Sequence, residues 1–264
     1  MFSVVIPLYN KELSIKNTLL SVLNQSIGDF EVLIINDGSS DNSLKRVKEI
    51  NDSRIRIINK LNGGVSSARN LGILESRFDW IAFLDGDDLW DKSHLEEVLK
   101  MMELFPDKSI YATSYRFSNE IVKSDSIDKS KIFVVENYFK QALNSYLVSS
   151  SSIIIRKDCF HVVGFFNEDL NRGEDLEMWC RLAKKFEFVK SCKKTVTYRL
   201  ESENRSCDIV YNIRKSFLSK INLKDQDMSM EEKIYKKKLV KSSIVRFLKK
   251  GQLKNALIMI KKML

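Results

Sequence analysis

The sequence predicts an α/β protein with a mostly parallel sheet flanked by helices, followed by a C-terminal helical extension. In the first hundred residues, short apolar segments rich in Val and Ile alternate with segments whose apolar residues recur at helical spacing. With only 9 glycines and 2 prolines among 264 residues, the chain also lacks the composition of long disordered stretches. The segment 209–264 adds amphipathic helical patterns.

Four apolar segments of the first half are predicted to be buried strands, namely 3–8, 30–35, 55–58 and 80–84. Helices are predicted between them, around 15–23, over 43–50, from Val65 and from Lys92. The pattern changes after Pro106, with strands predicted over 110–117 and 152–155, a polar loop over 118–131, a helix from Glu174 and a short strand over 195–200. Alternation of strands and helices implies right-handed crossovers between parallel strands.

Charge is unevenly distributed along the chain. The net charge is +9, but residues 209–264 hold 15 Lys and Arg against 4 Asp and Glu, so this basic tail carries +11 and the remainder −2. Such a tail indicates a partner, either anionic lipid or nucleic acid, or else a solvated helical face. It is poor in aromatic residues, and its apolar residues keep helical spacing, which argues against nucleic acid.

The chain is expected to be cytoplasmic. Its four cysteines, Cys159, Cys180, Cys192 and Cys207, lack metal-ligand or redox-motif spacing. The N-terminus has no signal-peptide pattern, and no apolar run reaches the ~18 residues of a membrane span.

Polar residues follow each of the first four predicted strands. They are Tyr9-Asn10, the segment 36–41, Asn62-Gly63-Gly64 and the segment 85–88, which reads Asp-Gly-Asp-Asp. In open parallel sheets the carboxyl ends of the strands form the ligand site, so these residues are expected to converge. Neither a dinucleotide-binding glycine motif nor a P-loop is present, so a phosphate must be held in another way.

The Asp-Gly-Asp-Asp segment is a candidate metal site. Carboxylates repel a diphosphate directly, but they can hold Mg²⁺ or Mn²⁺, which bridges phosphate oxygens. Turn formation and helix capping are the competing explanation, because Asp and Gly are ordinary turn residues. Three carboxylates within four residues favour the metal. Capping explains much of the segment around Ser40-Asp41, which leaves Asp37 without a structural reason.

Several motifs together resemble the family-2 glycosyltransferases, which have the GT-A fold with its Rossmann-like sheet. They are the segments 3–10 (SVVIPLYN), 32–41 (VLIINDGSSD), 62–72 (NGGVSSARNLG) and 83–88 (FLDGDD), with 163–168 (VGFFNE) and 173–183 (GEDLEMWCRLA) further on. The resemblance implies a nucleotide-sugar-binding half over 1–105, an acceptor-binding half of the same domain over 106–208, and the basic amphipathic helical tail over 209–264.

The resemblance also implies roles for individual residues. Pro7, Tyr9 and Asp37 would line the nucleotide-base pocket, with Asp37 accepting from the uracil N–H. Arg69 would face the donor's diphosphate or sugar, and Asp85 the ribose or sugar hydroxyls.

The remaining implied roles concern the reaction. Asp87 would be the principal ligand of Mn²⁺ or Mg²⁺, with Asp88 as a further metal ligand, and Asp175 would be the catalytic base. From the residues alone, the preferred explanation of Asp175 is an acid favoured by the dipole at a helix N-terminus. Trp179 could stack an acceptor sugar, although a core position is its default, and both histidines are expected to be structural.

The predicted function is inverting transfer of a hexose or N-acetylhexosamine from a UDP-sugar to a hydroxyl of a glycan acceptor. The acceptor is expected to be lipid-linked and part of bacterial surface-polysaccharide assembly, with the tail contacting an anionic membrane at the inner face of the cytoplasmic membrane. The alternative is a non-catalytic protein that binds sugar nucleotides or nucleic acid.

Overall fold

A computed structural model describes residues 1–120, 131–144, 146–204 and 212–263. Most of the predicted loop at 118–131, and Cys207, lie outside the described residues. Nine strands form one mixed sheet in the described part: β1 Phe2–Leu8, β2 Phe30–Asp37, β3 Ile55–Lys60, β4 Trp80–Phe83, β5 Leu89–Trp90, β6 Ile110–Phe117, β7 Ile132–Val135, β8 Ile153–Arg156 and β9 Phe188–Tyr198.

Ten α-helices accompany these strands in the same ranges. They are α1 Ile15–Leu23, α2 Ser43–Lys48, α3 Gly64–Glu75, α4 His94–Leu104, α5 Tyr138–Ala142, α6 Asp158–Val163, α7 Glu174–Ala183, α8 Phe217–Lys220, α9 Met230–Lys249 and α10 Leu253–Met263. The predicted strands and helices of the first half are all present, with ends shifted by a few residues.

The sheet has a parallel half and a mixed half. Its strand order is β3-β2-β1-β4-β8-β6-β9-β5, with β7 also paired to β9. The strands from β3 to β4 pair in parallel, as predicted. Beyond β4 only the β6–β9 pair is parallel, while β8 is antiparallel to both of its neighbours. The expectation of a mostly parallel sheet therefore holds for the strands from β3 to β4, and antiparallel pairing enters with the strands after Pro106.

The central strands are buried on both faces. Every residue of β2 is buried, which explains its nearly continuous apolar sequence. Helix α3 packs closely on this sheet at Gly72, where a Cβ atom would stand 2.2 Å from Cγ1 of Val5. A side chain at this position would force helix and strand apart, so the glycine permits the close approach.

Strand β9 is longer than the predicted 195–200. It begins at Phe188, and the polar residues of its first half conceal it from an apolar pattern. Lys190 is buried there and donates to the backbone oxygen of Thr113 at 2.6 Å, while Ser191 donates to Glu97 at 2.6 Å. Buried polar side chains that are hydrogen-bonded in this way fit inside a sheet without apolar periodicity.

The tail helices pack on the body of the protein. Val240 and Phe247 of α9 and Met259 of α10 are buried in the same apolar cluster as Trp179 of α7. The prediction of two helices separated at Gly251 is confirmed, and Gly251 has a φ of 67° where the chain turns. Within the described ranges, no helix is long and apolar enough to cross a membrane.

Candidate active site

The carboxyl ends of the first four strands meet, as predicted. The Asn10 N–H donates to Ser39 Oγ at 3.2 Å, which joins the ends of β1 and β2. Asn62 Nδ2 donates to the backbone oxygen of Asp37 at 3.0 Å, which joins β2 to the segment after β3. Lys11 Nζ, after β1, lies 2.6 Å from Asp87 Oδ2, after β4, so the polar segments that follow all four strands lie side by side at one edge of the sheet.

Asp37 is buried at the start of α3. Its carboxylate accepts from the backbone N–H groups of Gly63 at 2.9 Å and Gly64 at 2.8 Å, and from Lys60 Nζ at 2.5 Å. Gly64 has a φ of 86°, a conformation that suits glycine. Asp37 therefore fixes the segment that begins α3. The other residues of the predicted uracil pocket are Pro7, which is half-buried, and Tyr9, which is exposed.

The three carboxylates of the Asp-Gly-Asp-Asp segment point to different partners. Asp85 accepts from Arg69 Nη2 at 2.7 Å. Asp88 is buried, and its two oxygens accept from Ser151 Oγ at 2.6 Å and from the Arg199 N–H at 3.2 Å. Burial, with the neighbouring charges of Asp85 and Asp87, raises the pKa of Asp88 well above its ordinary value.

Arg69 connects this segment to α7. Its guanidinium is 2% exposed, lies against the ring of Phe166, and donates from Nη1 to Glu174 at 3.0 Å as well as to Asp85. Burial lowers the pKa of Arg69, but the charges of Asp85 and Glu174 outweigh this effect, so the pKa is raised overall. One buried cation thus binds the end of β4 to the first residue of α7.

Asp175, the predicted base, follows Glu174 in the first turn of α7. Burial, followed by the adjacent Glu174 charge, raises the pKa of Asp175 to about 7, although Arg69 and a hydrogen bond from the Leu176 N–H oppose the increase. A carboxyl with this pKa is half ionised at neutral pH, which suits a general base.

Asp87 contacts a lysine that sequence analysis did not identify. Lys11 Nζ lies 2.6 Å from Asp87 Oδ2 and donates to the backbone oxygens of Glu203 at 2.5 Å and Asn204 at 3.2 Å. Ser202 Oγ donates to the same Asp87 oxygen at 2.7 Å. We call residues 199–204 the strap, because this segment after β9 lies across the carboxylates.

The strap is anchored independently of Lys11. The Glu203 carboxylate accepts from the N–H groups of Leu13 and Ser14 and from Ser14 Oγ, just before α1. Asn204 Nδ2 donates to the backbone oxygen of Tyr9 at 3.1 Å. The contact between Lys11 and the strap could not be found from the sequence, because Lys11 and Glu203 lie 192 residues apart.

The residues around Asp87 fit a hard divalent cation that takes only a few of its ligands from the protein. In the described part of the chain, no three Asp, Glu, His or Cys side chains form a ready metal cluster. Asp85 and Asp88 are engaged elsewhere, so Asp87 is the carboxylate that faces an oxygen-rich space, together with the carbonyl oxygens of Glu203 and Asn204. Mg²⁺ commonly uses one or two carboxylates and completes its shell with substrate phosphates and water. Asp88 as a metal ligand stays a prediction, and its hydrogen bonds give it a positioning role.

Trp179 and His94 are structural residues. Trp179 is fully buried and packs edge-on against Phe166, so it belongs to the core rather than to an acceptor platform. His94 is fully buried and stacks on Trp90, and burial lowers its pKa to about 3. A histidine that stays neutral and enclosed is structural, as predicted.

Comparison with known proteins identifies the family. Residues 3–164 match the family model "Glycosyl transferase family 2", and the chain belongs to this family. An "Uncharacterized glycosyltransferase" of Rickettsia bellii is 33% identical over 205 residues, covering 76% of this chain and 29% of that protein. The Escherichia coli enzyme "UDP-Glc:alpha-D-GlcNAc-diphosphoundecaprenol beta-1,3-glucosyltransferase WfgD" is 29% identical over 185 residues, covering 70% of each chain. The chain spans less than a third of the length of the first Rickettsia relatives.

A solved structure shares the fold. The S. aureus protein TarS, residues 1–349 in complex with UDP-GlcNAc, superposes with a TM-score of 0.72 at 21% sequence identity, over 93% of this chain and 72% of that one. This similarity confirms the predicted GT-A fold with its helical C-terminal region.

Proposed function

We propose that the chain is an inverting glycosyltransferase that moves a hexose or N-acetylhexosamine from a UDP-sugar to a hydroxyl of a glycan acceptor. The observation that carries this proposal is the buried Arg69 link between Asp85 and Glu174, which holds the first turn of α7, where Asp175 follows Glu174, beside the segment after β4. An inverting transfer is a single in-line displacement, so a base must take the acceptor proton on the face opposite the leaving diphosphate. Asp175, with a pKa of about 7, is suited to this step.

The donor is assigned to the cleft at the strand ends. Asp37 and Pro7 would border the base, and exposed Tyr9 offers a ring for stacking. Asp37 Oδ2 accepts from Gly64 alone among the contacts described, which leaves it capacity to accept from a uracil N–H. Asp85 would reach the ribose or sugar hydroxyls, and Arg69 would add positive charge near the diphosphate.

Mn²⁺ or Mg²⁺ would be held at Asp87, with diphosphate oxygens and water completing the shell. A bound divalent cation supplies charge neutralisation of the leaving diphosphate. Ser151 and the Arg199 N–H keep Asp88 fixed behind this position.

Release of UDP across a panel of UDP-sugars, with Mn²⁺ and with EDTA, tests the assignment. Turnover of one donor that EDTA and Asp87→Ala abolish is expected. Asp158→Asn is the matched control, because the Asp158 carboxylate is 75% exposed on α6, and it should keep wild-type activity. A protein that neither binds nor hydrolyses any nucleotide sugar would favour a non-catalytic role and contradict the proposal.

The acceptor is proposed to be a lipid-linked glycan of bacterial surface-polysaccharide assembly. By its name, the relative WfgD transfers to a sugar on diphosphoundecaprenol. A chondroitin synthase of Pasteurella multocida is 28% identical over 224 residues, covering 84% of this chain and 23% of that protein. Both names describe glycan assembly, and an acceptor with a polyprenyl anchor has to be met at a membrane surface.

The turn between α9 and α10 is the proposed contact with anionic lipid at the inner face of the cytoplasmic membrane. We call residues 248–257 the hairpin tip. Leu248, Leu253 and Leu257 are 50%, 63% and 57% exposed there. Exposed lysines lie beside them, namely Lys249, Lys250 and Lys254. Leucines that insert at the headgroup boundary and lysines that attract anionic headgroups are the two components of interfacial binding, with ~1 kcal/mol per basic residue.

Vesicle sedimentation tests this contact. Wild type is expected to bind vesicles containing anionic phosphatidylglycerol and to leave zwitterionic vesicles unbound, while Leu253→Ser with Leu257→Ser releases the protein. Leu104→Ser is the matched control, since Leu104 is 56% exposed at the end of α4. Equal binding by the hairpin-tip variant and wild type, or binding of nucleic acid in place of vesicles, would contradict the membrane assignment.

A further inference from the structure

Lys11 places its ammonium where the metal of the proposed function would bind. The three oxygens around Nζ, one from the Asp87 carboxylate and two from the strap carbonyls of Glu203 and Asn204, are hard anionic or dipolar ligands. Both the Lys11 and the Asp87 side chains are mostly buried, at 12% and 15% exposed. Such an oxygen set is also the kind that binds Mg²⁺ or Mn²⁺.

An ammonium and a divalent cation cannot share this position. Two cations within a few ångströms repel each other strongly where water is largely excluded. Asp87 is the one carboxylate of the segment that faces this space, so a metal on either of its oxygens would lie within a few ångströms of the ammonium and compete with it for the carboxylate's charge.

The ligands would stay in place when Lys11 leaves. The strap is tied to the start of α1 through Glu203 and to β1 through Asn204, and Ser202 donates to Asp87 without help from the lysine. The lysine side chain is long and flexible, and a diphosphate in the cleft is an alternative partner for its charge.

We propose that Lys11 is a built-in competitor for the metal, so that a divalent cation binds tightly only after the donor diphosphate has drawn the ammonium away from Asp87. This inference rests on the proposed function and adds to it an order of binding, with diphosphate and metal strongly coupled. In the donor-free protein Lys11 neutralises Asp87, and in the donor complex it moves to the phosphates. Lys11 thus sets the order in which the donor and the divalent cation bind.

The test measures Mn²⁺ binding by electron paramagnetic resonance of the free ion, with and without UDP, in wild type and Lys11→Met. Lys11→Met is expected to bind Mn²⁺ about 10- to 100-fold more tightly than wild type without UDP, a range typical of changes around a metal ligand. The same variant should bind UDP more weakly without metal, because it has lost a phosphate contact. Metal and UDP should therefore enhance each other's affinity by a smaller factor in the variant, and the two enhancement factors must be equal by linkage.

Two controls separate the possible outcomes. Lys11→Arg keeps the charge and should retain weak Mn²⁺ binding without UDP, and Lys16→Met removes an exposed lysine from α1 and should match wild type. Unchanged or weaker Mn²⁺ binding by a folded Lys11→Met would overturn the competition. Asp87→Asn tests the metal assignment itself: if this variant keeps Mn²⁺ affinity in the presence of UDP, the metal site of the proposed function fails, whatever Lys11 does.

Discussion

Replacing Asp175 by Asn should stabilise the protein while it abolishes transfer. The pKa of Asp175 is about 7 instead of its ordinary 3.8, so the folded protein resists ionisation of this carboxyl. A pKa difference of one unit corresponds to about 1.4 kcal/mol, so the ionised carboxyl costs at most ~4 kcal/mol of folding free energy. The Asn side-chain oxygen can still accept from the Leu176 N–H, so the substitution removes the charge and keeps the hydrogen bond.

The pH dependence gives this prediction its sign. A carboxyl whose folded pKa is raised favours the folded state at low pH, and this contribution is lost as the pH rises through the folded value. Asp175→Asn should therefore match wild type below about pH 4, gain relative stability from pH 4 to about 7, and keep a constant advantage above that.

Urea unfolding at pH values from 4 to 8.5 measures the difference. Asp158→Asn, a change at an exposed carboxylate, should stay within about 0.5 kcal/mol of wild type throughout. A wild type that is as stable as Asp175→Asn at pH 8, or more stable, would refute the argument that the folded protein disfavours the ionised form of Asp175.

Three further predictions concern the surroundings of the site. Arg69→Met leaves buried carboxylates without their cation, so it should cost about 3–5 kcal/mol of stability in thermal unfolding. Because Arg69 lowers the pKa of Asp175, the same variant should also move the acidic limb of the pH–rate profile to higher pH. An acidic limb at the wild-type pH would mean that Arg69 does not act on Asp175. Asp37→Ala removes the acceptor for the N–H groups at the start of α3 and should weaken UDP binding, measured by calorimetry, by about 1–3 kcal/mol. Unchanged UDP affinity would mean that Asp37 does not contact the uracil. Gly72→Ala forces a Cβ onto Val5 and should lower the free energy of unfolding by about 1–3 kcal/mol, whereas an unchanged value would mean that α3 can move away from the sheet.

Sequence patterns were sufficient where burial and topology act together. Strands β1, β2 and β4 are almost entirely buried, so their apolar runs are distinctive, and parallel pairing of β1 to β4 brings the carboxyl ends of these strands to one edge. That rule alone placed Asp37, Asp85 and Asp87 around one cleft. The helix from Glu174 was also predictable, because its apolar stripe is regular.

The rest of the site depends on contacts between distant segments. Nothing local to Lys11 indicates that it meets Asp87 and the strap, and nothing local to Glu174 indicates its pairing with Arg69, which lies 105 residues earlier. The full length of β9 was not predicted, because Lys190 is a charged residue whose burial depends on a hydrogen bond that the sequence does not reveal. The packing of α9 and α10 on the core was left open, since an amphipathic face can bury against protein or lipid equally well.

Donor binding and donor turnover, measured on the same preparation of Asp175→Asn, test the central claim most directly. The assignment of Asp175 as the base predicts that the variant binds the donor as tightly as wild type in calorimetry and fails to transfer its sugar to the acceptor. Transfer at a rate close to that of wild type would contradict it, because the acceptor proton would then have another destination.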